Sequence, residues 1–118
     1  MIGSLTPEAL RFVAETRVRD LGLDIIEVQW RPGDRDFDII ACGDDIMAGV
    51  HVVIARPEDY ADDVTRPDLD RIRRIRRAAD DWLIDHAFTL TPVRVDVLVL
   101  FPMLADLVGV AYIEGVAW

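Results

Sequence analysis

Residues 25–56, IIEVQWRPGDRDFDIIACGDDIMAGVHVVIAR, decide the fold. The turn dipeptides Pro32-Gly33 and Gly43-Asp44 divide this stretch into three alternating or apolar runs: IIEVQW, DFDIIA and IMAGVHVVIAR. Such runs, separated by glycine-containing turns, predict a β-meander. Side chains alternate across a strand, so the middle run puts Asp36 and Asp38 on one face and Phe37 and Ile39 on the other. The third run, Ile46 to about Arg56, is almost wholly apolar and is expected at the centre of a sheet, covered on both faces. A carboxylate on the strand beside it requires a metal, a cationic partner or an exposed face.

Upstream, Thr6 suits an N-cap, Pro7 the first helical position, and Leu10, Val13, Ala14, Val18 and Leu21 recur at helical spacing. A helix is therefore predicted over 6–21, stopped by Gly22 in a left-handed cap, with a strand over 23–30 after it. Downstream, PEDYADDVTR (57–66) reads as an exposed acidic loop, and its acids lack the spacing of a calcium loop. A second helix is predicted over 68–86, with Leu69, Ile72, Ile75, Ala79, Trp82 and Leu83 as its buried stripe. Asp70–Arg74, Arg76–Asp80 and Arg77–Asp81 stand at i,i+4 along it. Strands over 93–101, ended by Pro102, and 107–114 complete the order α-β-β-β-α-β-β. That order predicts one α/β domain over 1–118, a mixed sheet flanked by helices.

Composition narrows the function. The net charge is −9, which opposes broad nucleic-acid binding because phosphate neutralisation needs at least a local basic surface. The single cysteine, Cys42, excludes an internal disulfide and suits a reducing cytoplasm. No apolar run reaches membrane-spanning length and no signal peptide is expected. All thirteen cationic side chains are arginine; the chain has no lysine.

Trp30-Arg31 and Asp36-Phe37-Asp38-Ile39-Ile40, together with Arg94-Val95-Asp96-Val97 later on, resemble the YraN-type family. These small bacterial proteins are similar to Holliday-junction resolvases of the PD-(D/E)xK nuclease superfamily. The resemblance implies a restriction-endonuclease-like fold. It also implies a magnesium- or manganese-dependent site built from an aspartate on the second strand and a Glu-x-Lys on the third. There, two carboxylates hold the cation and the lysine steadies the attacking water or the developing charge. Asp38 resembles the first ligand. His51 stands at the glutamate position and Val53 at the lysine position; slipping the register by two residues brings Val53 and Ala55 there instead. The third strand has no acid in any register, and an arginine is bulkier and stays charged, so it does not replace that lysine. The family's first-helix glutamate is matched here by Arg11.

Each candidate has two readings. Asp38 is a vestigial metal ligand or a carboxylate paired with Arg94 or His51, and pairing is favoured because a buried charge needs a partner. His51 is a vestigial catalytic group and a weak metal donor at best; a packed or surface histidine is the plainer reading. Asp36 is read as an edge or surface acid, or as a second, weak metal ligand. Arg73, Arg74 and Arg77, with Arg71 and Arg76, form either a phosphate- or partner-binding patch or a solvated, salt-bridged face; the face is favoured. Trp30 and Trp82 are read as core anchors, and His86 as a cation near the end of the second helix.

The expectation is a single nuclease-like domain whose catalytic machinery has degenerated: a non-enzymatic binding or structural module. No cofactor is expected, and a protein partner or a second copy is favoured over nucleic acid, with no membrane. The enzymatic alternative is a magnesium- or manganese-dependent endonuclease or junction resolvase rebuilt around Asp36, Asp38 and His51. A third reading is nucleic-acid binding without cleavage.

Overall fold

A computed structural model describes residues 6–30, 36–55, 66–86, 91–103 and 107–117. The expected turn at Pro32-Gly33, the acidic stretch 57–65 and Trp118 lie outside the described residues.

Helix α1 (Pro7–Asp20) starts where the Thr6 hydroxyl accepts the Ala9 N–H at 3.1 Å. It ends at Gly22, whose φ of 85° lets its own N–H reach the Arg19 carbonyl (2.9 Å) and the Leu23 N–H reach that of Val18 (3.4 Å). Strands β1 (Asp24–Gln29), β2 (Phe37–Cys42) and β3 (Met47–Ile54) follow, then α2 (Leu69–Asp85), β4 (Val93–Pro102) and β5 (Val108–Ala117). The sheet order is β1-β2-β3-β4-β5. The first three strands form the antiparallel meander, whose second turn is closed by the Gly43 N–H on the Ile46 carbonyl at 2.8 Å. Strands β3 and β4 are parallel and joined through α2; β4 and β5 are antiparallel. This is the expected mixed sheet in the order α-β-β-β-α-β-β. No helix among the described residues is long and apolar enough to cross a membrane.

Alternation along the strands divides the core in two. Phe37, Ile39 and Ala41, with Ala48, Val50, Val52, Leu98 and Leu100, pack against Leu10, Ala14 and Val18 of α1. On the other face Ile40, Met47 and Val95 pack against Ile75, Ala79 and Leu83 of α2. Strand β3 is buried on both faces, as its unbroken apolar run predicts. Gly49 in β3 lies directly beneath α2: a methyl group there would run into the Cγ2 methyl of Ile75. That close approach sets the height of α2 over the sheet.

Some expectations change in detail. Strand β2 starts at Phe37, so Asp36 sits just ahead of it. Strand β5 continues to Ala117 because the pairing shifts between Val95 and Val97, where Gly115 takes a φ of 70°. Leu69, in the first turn of α2, is 66% exposed. Trp30 and Trp82 are half-buried at the margins of the two cores, not anchors within them.

Candidate functional site

The β2–β3 register places Asp38 directly opposite His51, on the sheet face that α2 covers. His51 Nδ1 lies 3.0 Å from Asp38 Oδ1. An ionised carboxylate only accepts, so this nitrogen carries the hydrogen and donates it. Arg71 reaches down from the first turn of α2 and donates Nη1–H to Asp38 Oδ2 at 3.1 Å. The Asp38 and His51 side chains are almost wholly buried, whereas that of Arg71 keeps 24% of its surface in water. Both carboxylate oxygens are thus held by protein cations or donors, one on each side.

Arg94 was an expected partner of Asp38 and does not reach it. His51 stands opposite Val97 in the parallel β3–β4 pair, while Ala48 stands opposite Arg94 and Val50 opposite Asp96. Arg94 and Asp96 therefore project to the α1 face, with the thickness of the sheet between them and Asp38.

A groove of about 850 Å³ runs between α2 and the β1–β2 side of the sheet. Arg71, Arg74 and Arg77 line it from the helix; Asp36 and Asp38 line it from the sheet, with Trp30 beside them. Glu27 and Asp81 add further carboxylates, so the lining carries both signs of charge. Asp36 Oδ1 faces the Ile54 N–H at 3.4 Å, an acid at the mouth of the site that ties β2 to β3. Among the described residues, no group of three or more His, Cys, Asp or Glu side chains is placed to hold a metal ion. Magnesium and manganese favour cages of oxygen donors, and the one buried carboxylate here already binds an arginine and a histidine. These residues do not fit the divalent-metal site that the resemblance implies.

The family description "uncharacterised protein family UPF0102" matches residues 12–100, a span holding β1 to β3, α2 and most of β4. The chain belongs to UPF0102. This bears out the YraN-type resemblance read from Trp30 to Ala41. The chain is similar to a UPF0102 protein of Beutenbergia cavernae, 30% identical over 98 residues that cover 80% of each chain. It is also similar to UPF0102 proteins of Paenarthrobacter aurescens (27% identical; 75% of this chain, 78% of the relative) and Pseudarthrobacter chlorophenolicus (27%; 82% and 74%).

The UPF0102 match encloses the second-helix residues singled out from the sequence, which the structure separates. Of Arg73, Arg74 and Arg77, only the last two line the groove beside Arg71. Arg73 turns to the outer side, three-quarters exposed and 3.9 Å from Asp70. Asp70 thus meets the arginine at i+3, not Arg74 at i+4. Arg76 is half-buried, and its Nε has no hydrogen-bond partner among the described residues. Arg71 had no individual role in the sequence reading, but its position carries a signal. It stands one turn before Ile75, on the stripe that meets the sheet, so it cannot belong wholly to a solvated face. Arg11, just ahead of the matched span, bonds Glu15 at 2.9 Å and lies 5.6 Å from the Trp30 ring centroid. His86 sits at the end of α2, where the sequence placed it: its Nδ1 lies 2.8 Å from the Trp82 carbonyl and its ring stacks on that indole at 4.0 Å.

Arg94 instead belongs to a second cluster that sequence reasoning missed. Fully buried Asp96 accepts Arg94 Nε–H (2.8 Å) and Nη2–H (3.0 Å), the Tyr112 hydroxyl and the Gly115 N–H (2.8 Å). Arg94 Nη1 also meets Glu114 at 2.7 Å. Burial alone would lower the Arg94 guanidinium, but its bonds to Asp96 and the nearby Glu114 outweigh it and hold it above its ordinary value. Burial pushes the Tyr112 phenol well above its usual range, and donation to the Asp96 carboxylate adds to that. The cluster locks β5 onto β4 on the α1 side.

Proposed function

We propose that this UPF0102 chain is a non-catalytic binding module on a nuclease-like, PD-(D/E)xK-type frame. Its groove beside α2 docks a protein partner. The observation that carries the reading is the closure of Asp38, held through Oδ1 by His51 and through Oδ2 by Arg71. Metal-assisted phosphodiester hydrolysis needs a carboxylate cage for the cation and a group to steady the nucleophile. In this groove an internal guanidinium takes the position a bound cation would need, and the chain has no lysine to serve the nucleophile. The mixed charge of the lining and the net charge of −9 favour a protein surface over a polyanion. No cofactor takes part, and the lone Cys42 fits a reducing cytoplasm.

The test is incubation of purified protein with junction, fork and single-stranded substrates at low salt, with magnesium or manganese. No cleavage is expected, and calorimetry is expected to show no tight manganese binding. Metal-dependent turnover lost in both Asp38→Asn and His51→Ala would overturn the reading in favour of a site rebuilt around Asp36, Asp38 and His51. A second reading, nucleic-acid binding without cleavage, is favoured by Arg71, Arg74 and Arg77 lining the same groove as Trp30. It requires affinity that falls steeply with salt and drops in Arg74→Ala and Arg77→Ala.

A further inference from the structure

We infer that the outer edge of β5 is a self-association surface, at which a second copy of this chain pairs antiparallel to extend the sheet. The two edges of the sheet, β1 and β5, are built differently. Strand β1 is six residues long, carries the exposed acids Asp24 and Glu27, and its pairing is interrupted between Ile25 and Glu27. Shortness, charge and a bulge are the devices that keep a sheet edge from recruiting another strand. Strand β5 is ten residues long and has none of them over Val108–Ile113. Its irregularity is confined to the far end, at Gly115.

The side chains agree. Val108, Val110 and Tyr112 stand on the α1 side of the sheet, and Ala111 and Ile113 on the other, so β5 is apolar on both faces. Every one of these residues is only partly covered among the described residues, and Val110 is 39% exposed. Leu107 (62%) and Met103 (52%), at the start of the hairpin, add to the same exposed apolar stretch.

Charge selects the occupant. A chain of net charge −9 repels its own copy over most of its surface. Residues 107–117 contain one charged side chain, Glu114, and it lies against Arg94 at 2.7 Å. This edge is therefore where two copies approach without that repulsion. Antiparallel pairing of identical strands is also self-complementary about a two-fold axis, each strand offering the other the same sequence of N–H and C=O groups. The inference does not depend on what occupies the groove beside α2.

The experiment is light scattering on size-separated full-length protein over a range of concentrations. The expected mass is twice 13.3 kDa, falling towards 13.3 kDa on dilution. Val110→Lys, which charges the edge at an already exposed position, is expected to raise the dissociation constant at least about tenfold. Ile84→Lys, a matched change on exposed α2, is expected to leave it unchanged. Hydrogen exchange of the unaltered chain gives a readout free of folding effects. Dimer-dependent protection is expected at the alternate amides of Val108–Ile113 that point away from β4, and absent from β1. A monomer at every concentration, a Val110→Lys dimer as tight as the original, or protection that leaves β5 untouched would each overturn the inference.

Discussion

Replacing Arg71 by methionine keeps most of the aliphatic stem over the sheet while removing the guanidinium from Asp38. The Asp38 side chain is 6% exposed, so the carboxylate left behind cannot recover its full hydration. Breaking a fully buried pair by removing one partner costs about 3–5 kcal/mol. Arg71 is 24% exposed, which lets water reach this pair, and His51 still donates to Oδ1 at 3.0 Å. Discounted for both, the loss is about 2 kcal/mol, or about 8 °C in melting temperature for a domain of this size. Asp38→Asn should cost less, about 1 kcal/mol, because Arg71 can turn its head to solvent. The double variant should then be more stable than the sum of the two losses by about 1–2 kcal/mol. Urea denaturation followed by circular dichroism measures all three. Additivity to within about 0.5 kcal/mol would mean that Arg71 and Asp38 are not coupled, and the account of the closed site would fail.

Three further outcomes follow from the same structure. Gly49→Ala should destabilise by about 1–3 kcal/mol, because β-branched Ile75 cannot swing clear and α2 must lift; a neutral result in denaturant would refute the close packing. Thr6→Ala should cost about 1 kcal/mol in the same assay, with Thr6→Ser retaining the cap. The Tyr112 phenol is raised in the folded state, so the fold binds that proton more tightly than the unfolded chain. Its contribution is intact below the ordinary tyrosine value of about 10 and is lost as pH rises beyond it. Absorbance titration should find Tyr112 ionising only with alkaline unfolding, and Tyr112→Phe should flatten the fall in stability above about pH 10; an ordinary titration of the folded protein would contradict this.

How far the sequence reached depends on the range of each interaction. The helix ends and the central strand were legible because their causes are local: the Thr6 cap, the αL glycine at 22 and the apolar run of β3. The Asp38–His51 pair was half-legible, since both residues lie within one meander. Arg94 was misplaced for a reason that lies outside any single strand. Alternation says which residues of β4 share a face, but the crossover through α2 decides which face that is relative to β2. Arg71 was hidden in a run of arginines, and composition speaks for a run, not for the member on the buried stripe. The Asp96 cluster needed β5, whose continuation past Glu114 rests on a positive φ at Gly115 that periodicity does not register.

The two acids buried on opposite faces of this sheet, Asp38 and Asp96, differ in what their partners can do. Asp96 is fully buried and accepts four hydrogen bonds, from a side chain on its own strand and from two groups on β5. The two bonds from Tyr112 and Gly115 hold β5 to β4, so that cluster is a structural clamp. Asp38 is nearly as buried, but Arg71 approaches it from the groove and keeps a quarter of its side chain in water. Its guanidinium has five N–H donors, of which Nη1–H meets Asp38, and the residue lines the groove. A carboxylate on a docking partner would then complete a network that begins at His51, and its strength would depend on Arg71 as well as on Arg74 and Arg77. A partner held through Arg74 and Arg77 alone would lose nothing in Arg71→Met, whereas one that completes this network would bind that variant more weakly while leaving its occupancy insensitive to magnesium.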